Sequence, residues 1–222
     1  MVIAPIPGSH IAKRQSILET AAAVFCREGY GGANIDMIAA EAGVSRQTVY
    51  NNYRDKETLF RAVVAFITER SNAVFFETLS TFPDHPQDLE ADLLAFAMRL
   101  STNCICSREG KHLRRMIQNE GERYPELFAS WRQDGPNKVW SALAARFARL
   151  AYAGYLDIAD PDVAARQFLA LNHADLQVAF LLGDTLGEDQ IRQASTHAVQ
   201  AFLRAYGRKK AIAPRLRAAT AA

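Results

Sequence analysis

The sequence predicts an all-α protein of two parts, a small N-terminal helix-turn-helix unit and a larger C-terminal helical body. Three observations carry this expectation. Apolar residues recur at 3.6-residue spacing in stripe after stripe, and no run alternates as a strand would. Glycine, proline and capping side chains punctuate the stripes where helices start and stop. Apolar residues make up 49% of 222 residues, enough for a sizeable core, while 12 Gly and 8 Pro are too few for a disordered or collagen-like chain.

Met1 to about Ser9 carries Pro5, Pro7 and Gly8 and reads as a mobile arm. A first helix follows to about Glu28, with Ile17, Leu18, Ala21, Val24 and Phe25 as its stripe and Gly29 as its end. Asn34 is a good N-cap for a second helix, with Asp36 in the first turn, where the helix dipole favours a carboxylate. Ile35, Ile38, Ala39 and Ala42 form its apolar face, and Gly43 ends it as a residue at positive φ. Val44 plugs the turn, and Ser45 caps a third helix in which only Val49 and Tyr53 look inward.

That third helix leaves Arg46, Gln47, Thr48, Tyr50, Asn51 and Asn52 outside. Arg bonds guanine bidentately, Gln and Asn do the same with adenine, and Thr meets a thymine methyl. Tyr hydroxyls and Asn amides commonly bond phosphate oxygens. A helix, a glycine turn and a second helix with such a face is the helix-turn-helix pattern, its second helix entering the major groove. The expected DNA contacts are Asn34, Arg46, Gln47, Thr48, Tyr50, Asn51, Asn52 and Lys56. Net charge gives no support. The chain totals only +2, and its first sixty residues hold six cations and six anions.

Asp55 caps the next helix, which runs through Leu59, Val63, Phe66, Ile67, Val74 and Phe75 without a breaker before Pro83. It is the mechanical link between the two parts. Beyond Pro86 come Leu89, Leu93, Phe96, Ala97 and Leu100, then a break at Arg108-Glu109-Gly110. Leu113, Met116 and Ile117 start a shorter helix, interrupted at Tyr124-Pro125 and again at Asp134-Gly135-Pro136. Val139, Trp140, Leu143, Phe147 and Leu150 form the next stripe, which Gly154 stops. Asp160-Pro161 opens a helix through Val163, Phe168 and Leu176 to Leu182, and Ile191 to Tyr206 is the last. These final two helices, rich in small and apolar residues, suit an isologous homodimer interface. The basic residues from Arg208 to Arg217 read as a solvated tail. Domain boundaries follow at 10–55 and 56–206, with 1–9 and 207–222 as flexible termini.

The chain resembles a known family at the residues that carry this reading. Ile38-Ala39-x-x-Ala42-Gly43-Val44-Ser45, Thr48-Val49-Tyr50-x-x-Tyr53 and Lys56-Glu57-x-Leu59 look like the DNA-binding domain of TetR-family bacterial repressors. The likeness reaches back through Ile17-Leu18, Ala21, Phe25 and Gly29-Tyr30. Asn34 stands where the family usually has Thr, and Asn52 where it often has His. Glu122 to Leu127, Gly135-Pro136 and Leu181-Leu182-Gly183 resemble the effector-binding half of the AefR-like subgroup, over roughly Leu113 to Gly183. The resemblance implies a cytoplasmic repressor that occupies operator DNA and is released by a small molecule.

Phe96, Met116, Trp131, Trp140 and Phe147 are candidate walls of an apolar or aromatic effector pocket, with Asn172, His173 and Asp175 as polar groups. No catalytic residue, metal ligand or cofactor motif stands out. His173 and Asp175 are two apart and point about 200° from each other. Whether His112 meets His173 is left open. Three cysteines, an odd number, argue for free thiols, and no apolar run is long enough to span a bilayer. The alternatives are a helical small-molecule carrier that never meets DNA and, less in keeping with the residues, a helical enzyme. Arg46, Tyr50 and Lys56 separate the first of these, because a carrier has no use for them.

Overall fold

The computed structural model describes residues 7–208. Its helices are α1 (Pro7–Gly32), α2 (Ile35–Glu41), α3 (Arg46–Tyr53), α4 (Lys56–Leu79), α5 (Leu89–Leu100), α6 (Arg108–Glu120), α7 (Pro125–Asp134), α8 (Pro136–Tyr152), α9 (Pro161–Ala174), α10 (Gln177–Leu182) and α11 (Glu188–Tyr206). A single π-helical turn, Ser101–Ile105, follows α5. Among the described residues there is no strand, only an isolated bridge between Leu156 and Gly207.

The caps lie where the side chains direct them. Asn34 accepts from the Met37 amide, Ser45 from Thr48, Asp55 from Thr58 and Asp160 from Val163. Each satisfies an amide that the first turn of a helix leaves without a partner. Gly43 sits at φ +65°, so the chain can reverse between α2 and α3 without steric strain.

Two hydrophobic cores result. The proximal one joins α1 (Ile17, Val24, Phe25), α2 and α3 (Ile38, Val49, Tyr53) and the first half of α4 (Leu59 to Ile67) to Leu113, Met116, Leu127 and Phe128 of α6 and α7. The distal one joins Phe75 and Leu79, from the far end of α4, to α5, α8, α9 and α11. There Phe147 packs against Phe202 at 4.9 Å and Phe168 at 5.2 Å, and Phe82 against Phe96 at 5.0 Å. Among the described residues, helix α4 is the one element buried in both.

Four sequence expectations change. The chain breaks at the π-turn, before Arg108, rather than at Arg108-Glu109-Gly110, and α6 begins at Arg108 because Ser107 caps it through the Gly110 amide. The helix opened by Pro161 ends at Ala174 and resumes at Gln177, so it does not run unbroken to Leu182. Helix α1 already includes residues 7–9. Gly207 is held by its bridge to Leu156, and Arg208 donates to the Gly154 carbonyl at 3.4 Å. The rest of the expected arm and basic tail lies outside the described residues.

Candidate functional site

Helix α3 presents the face its sequence predicts. Val49 is fully buried and Tyr53 nearly so, which turns Arg46, Gln47 and Asn51 outward with Tyr50 half-exposed between them. These side chains hold one another. Gln47 Nε2 donates to Asn51 Oδ1 at 2.8 Å, and the Arg46 guanidinium reaches Tyr50 Oη at 3.4 Å and Asp36 of α2 at 3.2 Å. The Tyr50 hydroxyl first, then Asp36, hold the Arg46 proton more tightly than usual. An ion pair this exposed is screened by solvent, so a base edge or phosphate can displace it at little cost. Thr48 shares a hydrogen bond with its cap, Ser45, at 2.8 Å.

The other expected contacts are engaged by the chain's own backbone. Asn52 donates to the Thr48 carbonyl at 2.8 Å, one turn back. Lys56 Nζ donates to the carbonyls of Tyr30 and Ala33 at 2.8 and 2.9 Å and lies 4.4 Å from the Tyr30 ring. It ties the start of α4 to the end of α1, where carbonyls lack helical partners. Asn34 spends its side-chain oxygen on the α2 cap at 2.9 Å.

The expected effector residues do not converge on one pocket. Phe96 and Phe147 have no exposed surface, and each packs its ring against Phe82 and Phe168 in the distal core; Met116 belongs to the proximal core. Asn172, also fully buried, donates to the Ala97 carbonyl and Ser101 Oγ, and so splices α9 to the π-turn. Asp175 pairs with His197 of α11 at 2.8 Å. Trp140 is half-buried on α8. These residues are apolar or polar for packing reasons that only the tertiary arrangement reveals.

Trp131 and His173 do border cavities. Trp131, on α7, is a wall shared by two: one of about 390 Å³ with Thr68, Asn72 and Leu127, the other of about 180 Å³ with Ser71, Val74 and Leu113. Both reach α4. Trp131 Nε1 and Ser71 Oγ are buried without a hydrogen-bond partner in the chain, an arrangement that costs stability unless another molecule supplies one. His173 and His112 line the same third cavity, beside α6. Burial pulls the His173 imidazole below its ordinary pKa, with Arg114 adding to the effect.

Sequence reasoning missed Glu120 at the end of α6. It is buried, and its Oε1 accepts from the Tyr30 amide at 2.9 Å, just after the α1 kink at Gly29. Tyr124 packs on Tyr30 at 5.0 Å beside this bond. Together they fasten the α6–α7 corner to the helix-turn-helix unit. The cysteines are free, and burial pushes the thiols of Cys26 and Cys104 up to about 11.

Comparison with known proteins bears on both halves. Residues 17–63 match the model of bacterial regulatory proteins of the tetR family, and residues 91–208 match the C-terminal domain of AefR-like transcriptional repressors. The HTH-type transcriptional repressor SCO4008 of Streptomyces coelicolor is 45% identical over 53 residues, 24% of this chain and 28% of that one. The repressor Rv1474c of Mycobacterium tuberculosis is 36% identical over 63 residues, 28% of this chain and 34% of its own. The chain thus spans about a third of the length of the curated relatives it matches. A solved TetR-family regulator of Mesorhizobium loti superposes with a TM-score of 0.79 at 28% identity, covering 90% of this chain and 98% of the other. The flavonoid-responsive regulator FrrA superposes at 0.65 and 27% identity, covering 90% and 99%. No helix among the described residues is long and apolar enough to cross a membrane.

Proposed function

Because the chain belongs to the TetR family of transcriptional regulators, with an AefR-like C-terminal domain, we propose that it is a cytoplasmic, dimeric repressor of a pseudo-palindromic operator, released by a small apolar or aromatic effector. The observation that carries the DNA half of this reading is the outward row of Arg46, Gln47, Tyr50 and Asn51 on a helix anchored by Val49 and Tyr53. In the major groove Arg46 reads a guanine, Gln47 and Asn51 read adenine, Thr48 meets a thymine methyl, and Tyr50 holds a phosphate. Asn34 holds α2 in place beside the backbone. Asn52 and Lys56 brace the scaffold through the carbonyls they already occupy.

The homodimer forms through the last helices. Val178 and Leu182 of α10 are 65% and 73% exposed, large apolar side chains that a second copy would cover. Phe202, by contrast, is wholly inside its own protomer and is no part of that contact.

The effector sits against α4 in the cavities around Trp131, and the similarity to FrrA, a flavonoid-responsive protein, supports an aromatic ligand. A ligand releases DNA only by preferring the conformation that does not bind it. Movement of α6 and α7 against α4 changes the seat of Glu120 and Tyr124 on Tyr30, and with it the placement of α3.

Gel shifts of the full-length protein on the DNA upstream of its own gene test the reading. Wild type binds that fragment in the presence of excess random competitor. Arg46→Ala loses about 1–3 kcal/mol and tolerates substitution at one base pair. An Arg46→Ala protein with unchanged affinity and base preference would remove α3 as the reading helix.

A further inference from the structure

Helix α6 carries a polar face that its apolar stripe hides. Arg108, Lys111 and Arg115 recur at helical spacing, with Arg114 beside them. All four cations line one cavity of about 560 Å³ between α6 and the α9–α10 corner. His173 faces the same space, and Asp184 is the one carboxylate among its described lining residues. Like charges gathered around one concavity repel each other, and an anion placed among them relieves that repulsion.

Arg114 joins this cavity to a second. It also lines the smaller, largely apolar cavity that holds Trp131 and Ser71. Its guanidinium is anchored by a 2.5 Å hydrogen bond to the Ile105 carbonyl of the π-turn, and burial pulls its pKa below the ordinary range. On the apolar side, Trp131 Nε1 and Ser71 Oγ are the buried polar atoms without a partner in the chain.

We infer that these two cavities form one site for an amphipathic organic anion, its carboxylate held by the α6 cations and its aromatic body lodged against Trp131. Arg114 stands at the junction and lines both cavities, so its charge acts on a ligand in either. Trp131 Nε1 and Ser71 Oγ take an acceptor on the body of the ligand. The role of this ligand as effector rests on the repressor reading; the site itself rests on the cavity, its charge and the orphaned polar atoms.

Calorimetry on the full-length protein without DNA tests the site, with 2-naphthoate, its neutral amide 2-naphthamide and inorganic phosphate as probes. Naphthoate is expected to bind at least about tenfold more tightly than naphthamide, as hydrogen bonds between charged groups allow. Lys111→Gln and Arg115→Gln, both at exposed positions, weaken naphthoate and leave naphthamide unchanged. Trp131→Phe weakens both aromatic probes and leaves phosphate unchanged. Equal affinity for naphthoate and naphthamide, or no binding of naphthoate, overturns the inference. Phosphate binding as tightly as naphthoate also overturns it, because the aromatic body would then contribute nothing. Naphthoate that binds as expected but leaves the gel shift unaltered keeps the site and removes its role as effector.

Discussion

The proximal core draws residues from α1 to α4 and again from α6 and α7, while the distal core closes α5, α8, α9 and α11 over the end of α4. The distal core is a set of interlocked phenylalanine rings from four elements, Phe96, Phe147, Phe168 and Phe202, each without exposed surface. The proximal core takes in Leu113 and Met116 of α6, is bordered by cavities at Trp131, and is tied to the end of α6 by the buried Glu120 carboxylate. Densely interlocked rings have one arrangement, because any shift opens voids that cost dispersion energy. Helices that border cavities can repack. The contrast marks the distal half as the rigid anchor and the α4–α6–α7 layer as the part able to move.

The largest expected effect breaks the distal half. Phe202→Ala should cost about 3–5 kcal/mol of stability, the range for a buried phenylalanine lost from a packed core. Urea denaturation measures it. A loss below about 1 kcal/mol would mean that this core is not tightly interlocked. A charge at Phe202 should therefore unfold the protomer rather than split a dimer.

Leu182→Glu sharpens the same distinction. The side chain is exposed in the protomer, so the fold should keep its stability to within about 0.5 kcal/mol while light scattering reports monomer. A variant still dimeric would move the interface elsewhere.

Lys56→Ala probes the proximal half. Its ammonium is bonded to two carbonyls of the α1 end, so the loss should appear as about 1.5–3 kcal/mol of stability. The slope of DNA affinity against salt should stay as in wild type, whereas a lysine that neutralised a phosphate would flatten that slope by about one. Comparing the slopes of the two proteins decides between the roles.

The smallest effect concerns the π-turn. Burial raises the Cys104 thiol to about 11, so at pH 7.5 almost none of it is thiolate. Its alkylation by iodoacetamide should run well below the rate of a free thiol, whose pKa is about 8.5, and should accelerate as pH rises toward 11. Alkylation at the free-thiol rate would show that the turn opens readily.

How much of this was legible in the sequence depends on range. The caps at Asn34, Ser45, Asp55 and Asp160, the turn at Gly43 and the buried Val49 and Tyr53 are local, and each could be read from a few neighbouring residues. Asn172 could not, because its partners are 71 and 75 residues away in the chain. Phe96 and Phe147 looked like pocket walls because an aromatic stripe is the same in a sealed core and in a cavity. The carbonyls that Lys56 bonds, those of Tyr30 in α1 and Ala33 just after it, lie 26 and 23 residues back, out of reach of a local reading. The spacing of Arg108, Lys111 and Arg115 is a local signal of the α6 polar face, legible beside the Leu113 and Met116 stripe.

The division between a moving layer and a fixed anchor is tested most directly by hydrogen exchange of the full-length protein, followed by mass spectrometry with and without its operator fragment. Amide protection reports local opening element by element. The account predicts that DNA alters exchange in α3, in the first half of α4 and across α6 and α7, while peptides of α8, α9 and α11 within the distal core stay unchanged. Altered exchange throughout the distal core, or a response confined to α3 with α6 and α7 silent, would contradict it.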